Sequence, residues 1–353
     1  MKSTRIITAT ALIGGLLIAT AGCAKPLDEE GSASTNGDGS EQVVASESDA
    51  TCTNQSPSDK PLSEMKIGFS QSENEQNPFR AVETASVRES AEDAASSFVY
   101  TNANGDQAKQ LSDIQSMINQ GVDALIVAPI SSTGLQGAFE AAAAKGIPVI
   151  TIDRETAGTP CADFISFMGS DFKKQGERAG EAMIDAVDGK ASVAEIQGAP
   201  GSDVATLRTD GFAEAVEASA GVEIVAKQTG EWATSKAQEV LAQLLSANPD
   251  INAVYTHSDT MALGALTAIS QAGLKAGDDV KVVSIDGTRD AVSYVASGEI
   301  AAIVETNPRF GPAAVDLLDK WFAGKPVSQQ IIMQDELYTA DNAQKALDSG
   351  RAY

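Results

Sequence analysis

Side chains that form charge-assisted hydrogen bonds follow short apolar segments of this chain. Asp153-Arg154 follows Pro148–Ile152, and Asp286 follows Lys281–Ile285. Each has an ordinary alternative, because an aspartate behind a strand often caps a helix and an arginine is often a solvated surface charge. The candidate binding residues are Asn77, Phe79, Arg80, Asp153, Arg154, Arg208, Trp232, Ser258, Asp286 and Glu305. Their repeated position behind apolar segments predicts one ligand-binding cleft.

The composition of this set indicates the chemistry of the ligand. Its charged members are Arg80, Arg154 and Arg208 on one side and Asp153, Asp286 and Glu305 on the other. Balanced charges disfavour a strongly ionic ligand and suit a neutral molecule whose hydroxyls accept from arginine and donate to carboxylate. Phe79 and Trp232 would pack on apolar C–H faces, although Trp232 could instead belong to the core. The set therefore predicts a monosaccharide site.

Other chemistries lack their signatures in this sequence. The one histidine, His257, has no Cys/His cluster around it, so we expect no metal site. There is no G-x-S-x-G motif, no G-x-x-x-x-G-K-[ST] loop and no G-x-G-x-x-G after the first predicted strand. We therefore expect no cofactor and no enzymatic activity.

The elements that must position these residues alternate regularly from Met65 onward. Apolar segments such as Ala124–Ala128 read as strands buried on both faces, and amphipathic segments such as Gln107–Asn119 read as helices between them. This alternation predicts an α/β fold with doubly wound parallel sheets. Residues 63–353 are too many for one typical core, and the pattern restarts after Gly169-Ser170-Asp171, so we expect two lobes.

The first 62 residues predict export and tethering. Lys2 and Arg5 precede a short apolar run over residues 6–19, which is too short to span a bilayer of about 30 Å as a helix. Thr20-Ala21-Gly22-Cys23 resembles a bacterial lipobox, so residues 1–22 read as a signal peptide and Cys23 as an acylated anchor, the alternative being an ordinary signal with an incidental cysteine. Residues 24–62, acidic and without aromatics, read as a disordered tether.

Charge and cysteine content limit the partners. The net charge of −24 excludes nucleic acid as a partner, because nucleic-acid binding needs a basic surface. It also excludes adhesion to anionic headgroups, so the attached lipid would be the anchor to the cell membrane. If Cys23 is acylated, Cys52 and Cys161 are the two remaining cysteines in an oxidising compartment. A disulfide between them would fasten the tether to the first lobe, and two free thiols are the alternative.

From Met65 to Tyr353 the chain resembles the type I periplasmic sugar-binding proteins of ABC importers, which include ribose- and galactofuranose-binding proteins. The resemblance rests on Lys66–Gln71, Gly121–Pro129, Ile147–Arg154, Gly211–Ala215, His257–Gly264 and Ser284–Gly287. Arg80 after Phe79, together with Glu305 and Leu337-Tyr338, looks closest to the galactofuranose branch. Ser258 stands where the family often has asparagine.

The resemblance implies two lobes joined by a three-segment hinge, with crossings near Asp171, near Glu305 and around residue 333. The N-terminal lobe would comprise residues 63–170 and 306–332, and the C-terminal lobe residues 171–305 and 333–353. The resemblance assigns all ten candidate residues to the sugar. It implies an extracytoplasmic monomer that closes over a furanose-type sugar and delivers it to an ABC permease. The alternatives are a sugar-sensing receptor that feeds a signalling partner and, with less support, a repressor on the same fold.

Overall fold

Buried strands and amphipathic helices alternate along the computed structural model, which describes residues 44–187 and 190–353. The strands are β1 (Val44–Glu47), β2 (Thr51–Cys52), β3 (Lys66–Gln71), β4 (Ser97–Asn102), β5 (Ala124–Val127), β6 (Val149–Ile152), β7 (Ser166–Gly169), β8 (Ala191–Gln197), β9 (Val222–Thr229), β10 (Ala253–Thr256), β11 (Lys281–Asp286), β12 (Ala302–Glu305), β13 (Val327–Ser328), β14 (Gln330–Met333) and β15 (Leu337–Thr339). The helices are α1 (Pro78–Ala94), α2 (Gln107–Asn119), α3 (Gln136–Ala143), α4 (Phe172–Ala186), α5 (Asp203–Glu217), α6 (Thr234–Ala247), α7 (Asp259–Gln271), α8 (Arg289–Ser297), α9 (Gly311–Phe322) and α10 (Ala343–Ser349). A short 3₁₀ turn, Leu62–Glu64, precedes β3.

Two sheets define two lobes. The sheet of the N-terminal lobe has the order β1-β14-β7-β6-β5-β3-β4, and that of the C-terminal lobe has the order β15-β12-β11-β10-β8-β9. The strands of both sheets are parallel except the edge strands β1 and β15, which pair antiparallel. The predicted α/β class with two parallel-sheet lobes is confirmed.

Each sheet is buried on both faces because its central strands carry mostly apolar side chains on both sides. In β5, Ile126 packs into one hydrophobic cluster with Phe69, while Leu125 packs into another with Phe139. In β10, Val254 and Tyr255 divide in the same way between two clusters. Successive side chains of a strand point to opposite faces, so an unbroken apolar run needs helices on both sides.

The chain passes between the lobes three times. The first crossing is Ser170-Asp171 between β7 and α4, the second lies between β12 and α9, and the third lies between β14 and β15. These positions match the three crossings that the family resemblance implied. The hinge brings the carboxyl ends of the parallel strands of both sheets toward a common cleft.

The expectation of disorder through residue 62 is wrong for residues 44–62. There β1 pairs with β14, β2 pairs with β13, and Leu62 is buried. A disulfide joins Cys52 to Cys161, with 5.3 Å between their Cα atoms, and fastens this segment to the N-terminal lobe as proposed. Composition missed this segment because its few apolar residues gain their partners only from distant strands.

The remaining predictions for the N-terminus fall outside the described residues. These are the signal peptide over residues 1–22, acylation of Cys23 and the part of the tether up to residue 43. Within residues 44–187 and 190–353, every helix is too short or too polar to cross a bilayer.

Candidate functional site

A cavity lies between the lobes, at the carboxyl ends of their strands. Both lobes contribute to its walls. It is lined by Glu73, Asn77, Phe79, Arg80, Asp153, Arg154, Val204, Arg208, Trp232, Ser258, Asp286 and Thr306.

The structure brings together every predicted binding residue except Glu305. Sequence reasoning missed Glu73, Val204 and Thr306. Glu73 lies two residues beyond the end of β3, where an acid in a polar loop resembles an ordinary surface residue. Thr306 directly follows Glu305, so its position at the end of a buried strand could have identified it from the sequence.

Glu305 was wrongly placed in the cavity. Its side chain is fully buried, and its Oε2 accepts hydrogen bonds from the backbone N–H of Glu336 at 3.0 Å and from Arg351 Nη2 at 2.8 Å. Neighbouring residues of an extended chain point in opposite directions, so the cavity receives Thr306 instead. Glu305 thus connects the second hinge crossing to the third.

In the N-terminal lobe, two arginines share a set of carboxylates. Arg80 Nη1 lies 2.7 Å from Asp153 Oδ2 and 2.8 Å from Glu83 Oε2, and Arg80 Nε lies 3.2 Å from Glu73 Oε2. Arg154 Nη2 lies 2.9 Å from Glu73 Oε1. Burial alone would raise the pKa of Glu73, but the attraction of Arg154 and Arg80 outweighs it and lowers that pKa to about 2. Glu73 is therefore ionised and holds both guanidinium groups against the cavity.

In the C-terminal lobe, Arg208 is held from three sides. Its Nε donates to Gln175 Oε1 at 3.0 Å, Nη1 donates to the carbonyl of His257 at 2.5 Å, and Nη2 donates to Thr306 Oγ1 at 2.7 Å. Its side chain is buried, and Nη2 lies 4.0 Å from Asp286 Oδ1. Fixed contacts of this kind preorganise a guanidinium for a ligand because little rotamer entropy remains to be lost on binding.

Asp286 titrates far from its usual range. Burial raises its pKa to about 8, the attraction of Arg208 opposes that shift, and repulsion from Asp259 and Asp153 adds to it. At neutral pH a large fraction of Asp286 is protonated, so its carboxyl can donate as well as accept. That versatility suits a hydroxylated ligand, whose O–H groups do both.

Backbone strain concentrates around the cavity. Asp153 has a φ of 65°, Trp232 of 59° and Asp286 of 137°, values that residues other than glycine rarely adopt. Each such conformation costs about 1–3 kcal/mol and persists where the surrounding structure enforces it, often at functional sites. All three side chains line the cavity.

Two aromatic rings reach the cavity from opposite lobes. Asn77 caps α1 by accepting from the N–H of Phe79 at 3.0 Å, which fixes the first turn that carries the Phe79 ring. On the other lobe Trp232 packs against Gly198, where an added Cβ would lie 2.0 Å from Trp232 Cη2. Only glycine leaves room for this ring.

His257 is part of the support beneath the cavity. Its Nδ1 lies 3.3 Å from the N–H of Gly198 and accepts from it, so its Nε2 carries the proton and donates to Glu195 Oε1 at 3.0 Å. Burial lowers the pKa of His257, with the bond to Glu195 opposing that effect, so the ring is neutral near pH 7. Among the described residues no group of His, Cys, Asp and Glu side chains could hold a metal ion.

A fold of two parallel-sheet lobes around a polar interlobe cavity defines a class of ligand-binding proteins, and comparison with known families agrees. Residues 67–326 match the periplasmic binding protein domain. The chain belongs to this family, so it works outside the cytoplasm and is a binding protein rather than an enzyme.

The similarity to individual relatives extends over most of the chain. The galactofuranose-binding protein YtfQ of Escherichia coli is 32% identical over 80% of this chain and 91% of its own length. The ribose import binding protein RbsB of Bacillus subtilis is 34% identical over 76% of this chain and 85% of its own. The solved periplasmic binding component of the arabinose ABC transporter of Shewanella sp. ANA-3, bound to α- and β-L-arabinofuranose, is 32% identical with a TM-score of 0.77. That match covers 81% of this chain and 95% of the other.

Proposed function

We propose that this protein is the extracytoplasmic sugar-binding component of an ABC importer. It captures a neutral monosaccharide in furanose form between its lobes and presents the closed complex to a membrane permease. The observation that carries this proposal is the interlobe cavity, in which buried arginines and carboxyls of both lobes face one another between two aromatic rings.

The balance of charge in the N-terminal lobe argues for a neutral, hydroxyl-rich ligand. Arg80 and Arg154 are already neutralised by Glu73 and Asp153, so an anionic ligand would have to displace those ion pairs. A hydroxyl can instead accept from a guanidinium while donating to a neighbouring carboxylate. Phe79 and Trp232 offer apolar surfaces to the C–H groups of a sugar ring.

The proposed ring form follows from the relatives. One relative binds galactofuranose, and a structural neighbour was solved with arabinofuranose. We therefore propose a galactofuranose-like pentose or hexose as cargo, with ribose as the competitor that the RbsB relative suggests.

The ligand contacts are proposed residue by residue. Hydrogen bonds to sugar hydroxyls come from Asn77, Arg80, Asp153, Arg154, Arg208, Ser258 and Asp286, and we add Glu73 and Thr306 because they line the same cavity. The Ser258 hydroxyl accepts from the N–H of Met261 at 3.3 Å, so its own O–H can point toward the sugar.

We also propose that the monomeric protein is anchored to the cell membrane through an acylated Cys23 after removal of residues 1–22. The test is expression of Cys23→Ala and of the matched control Cys52→Ala in the native host. The account expects the first variant in the soluble fraction and the second in the membrane fraction. Membrane retention of Cys23→Ala would contradict the anchor.

The binding function is tested by titrating the full-length protein with pentoses and hexoses while recording tryptophan fluorescence. Trp232 lines the cavity, so a saturable response is expected for one sugar, and Trp232→Phe should abolish it while leaving Trp321 emission. No response and no calorimetric heat from any sugar would refute the proposal. Unchanged sugar uptake in a deletion strain that has lost a sugar response would favour the sensing receptor over the importer.

A further inference from the structure

One acidic side chain joins all three hinge crossings. Asp335 lies in the third crossing, and its Oδ1 accepts from Ser170 Oγ in the first crossing at 3.0 Å and from the N–H of Asn307 in the second at 3.0 Å. Its Oδ2 accepts from Gln175 Nε2 at 2.7 Å. All three partners are donors and favour the ionised carboxylate, which opposes the effect of burial; burial raises the pKa of Asp335 to about 7.

Gln175 continues this network toward the ligand cavity. It is buried on α4, and while its Nε2 faces Asp335, its Oε1 accepts from Arg208 Nε. Nε2 also lies within 3.1 Å of the carbonyl of Glu305 and 3.2 Å of Thr306 Oγ1. Above this pKa the carboxylate of Asp335 accepts only, so Asp335 and the carbonyl of Glu305 both favour one orientation of the Gln175 amide. That orientation alone offers Arg208 an acceptor.

We propose that Asp335 is a positioning residue that acts through Gln175 to hold Arg208 against the ligand, and so ties the recognising guanidinium to the three hinge crossings. This inference rests on the proposed function of the cavity. It concerns groups outside the cavity wall, since neither Asp335 nor Gln175 lines it. This relay from Asp335 through Gln175 to Arg208 depends on the orientation of the Gln175 amide. Reversing the amide would place its NH₂ group against Arg208 Nε, and two donors cannot hydrogen-bond to each other.

Replacing Asp335 with asparagine should break the relay while conserving side-chain size. The donors of Ser170 and Asn307 hold the carbonyl of the new amide on their side, which turns its NH₂ toward Gln175. Two NH₂ groups then face each other. Gln175 either moves away from the new amide or reverses, which also places its carbonyl against that of Glu305, and both changes weaken the hold on Arg208. The loss of one buried partner predicts sugar binding at least about fivefold weaker in Asp335→Asn.

The loss of affinity should appear as faster dissociation of the sugar, because a misplaced arginine weakens the closed complex but leaves the association rate unchanged. Asp341→Asn is the matched control, since this exposed aspartate follows β15 and lies outside the network. It should bind like the wild type.

A reciprocal exchange separates positioning from a merely structural role. In Asp335→Asn combined with Gln175→Glu, the new amide donates to the new carboxylate, whose other oxygen accepts from Arg208 Nε. The double variant should recover part of the lost affinity, and in a Gln175→Met background Asp335→Asn should have no further effect.

The experiment is stopped-flow and calorimetric measurement of sugar binding by the full-length variants, beginning with the wild type. If the wild type binds no sugar, the proposed function fails and this inference fails with it. If the wild type binds and Asp335→Asn binds equally well, or if the exchange recovers no affinity, only the inference is overturned. Should Asp335→Asn not fold, Gln175→Met decides: at least about fivefold weaker binding supports the relay, and unchanged binding overturns it.

Discussion

The substitution Arg208→Met removes a buried cation of the cavity that three hydrogen bonds hold in place. It deletes hydrogen bonds to Gln175, His257 and Thr306 and the guanidinium group that lies over the Phe172 ring, while keeping much of the apolar stem. The variant should fold, because the neighbouring Asp286 already has its pKa raised to about 8 and can remain protonated when the arginine is gone.

The expected loss of affinity follows from burial. Arg208 is 3% exposed, so sugar hydroxyls that it contacts are shielded from water and find no substitute donor in the variant. Removing one partner of a buried charge-assisted hydrogen bond costs about 2–5 kcal/mol. At about 1.4 kcal/mol per tenfold change, the dissociation constant should rise about 30- to 4,000-fold.

Calorimetric titration at pH 7 measures this change directly, with Arg88→Met as the matched control. Arg88 also lies on a helix and packs on an aromatic ring, with its guanidinium carbon 4.9 Å from the centre of Tyr100, but it is partly exposed and outside the cavity. The control should bind as the wild type does. Folded Arg208→Met with affinity within threefold of the wild type would refute the assignment of Arg208 to the ligand.

Three further perturbations address the disulfide, the aromatic wall and the buried acid. Replacing both Cys52 and Cys161 with serine removes a disulfide that joins residues 109 positions apart in the sequence. The free energy of unfolding in urea should fall by about 2–5 kcal/mol, with sugar affinity unchanged, and equal stability would contradict this. Gly198→Ala should displace Trp232, weaken binding about tenfold or more and shift tryptophan emission; wild-type emission and affinity would show that the ring tolerates the methyl group. The pKa of Asp286 is raised from 3.8 to about 8, so the wild type loses stability as pH rises across that window. Thermal unfolding should therefore show Asp286→Asn gaining stability relative to the wild type from pH 5 to pH 8. A difference that stays constant with pH would contradict the shift.

Periodicity located the strands predicted at Ala124–Ala128, Pro148–Ile152 and Lys281–Ile285 and the helix predicted at Gln107–Asn119 within about one residue of their observed ends, because apolar runs are diagnostic where both faces of a sheet are buried. The short strands β1, β2, β13, β14 and β15 were not predicted. The short polar segment Val44–Glu47 is a strand only because β14 offers it an unpaired edge. Such pairing depends on residues far away in the chain, which local pattern cannot supply.

The site was predictable to the extent that it follows from strand ends. Side chains directly behind buried strands, such as Asp153 and Asp286, converge because the carboxyl ends of parallel strands face the cleft. The error at Glu305 was one residue in an extended segment, where a shift of one exchanges the two faces. Asp335 could not have been found from the sequence, since its role depends on three crossings meeting in space.

The most direct test of the central claim is a crystal structure of the protein with the sugar that gives a saturable fluorescence response. The account predicts a furanose ring between Phe79 and Trp232, with hydroxyl groups within hydrogen-bonding distance of Arg208 and Asp153 and both lobes in contact with the same molecule. A sugar bound outside this cavity, or touching one lobe alone, would contradict the account.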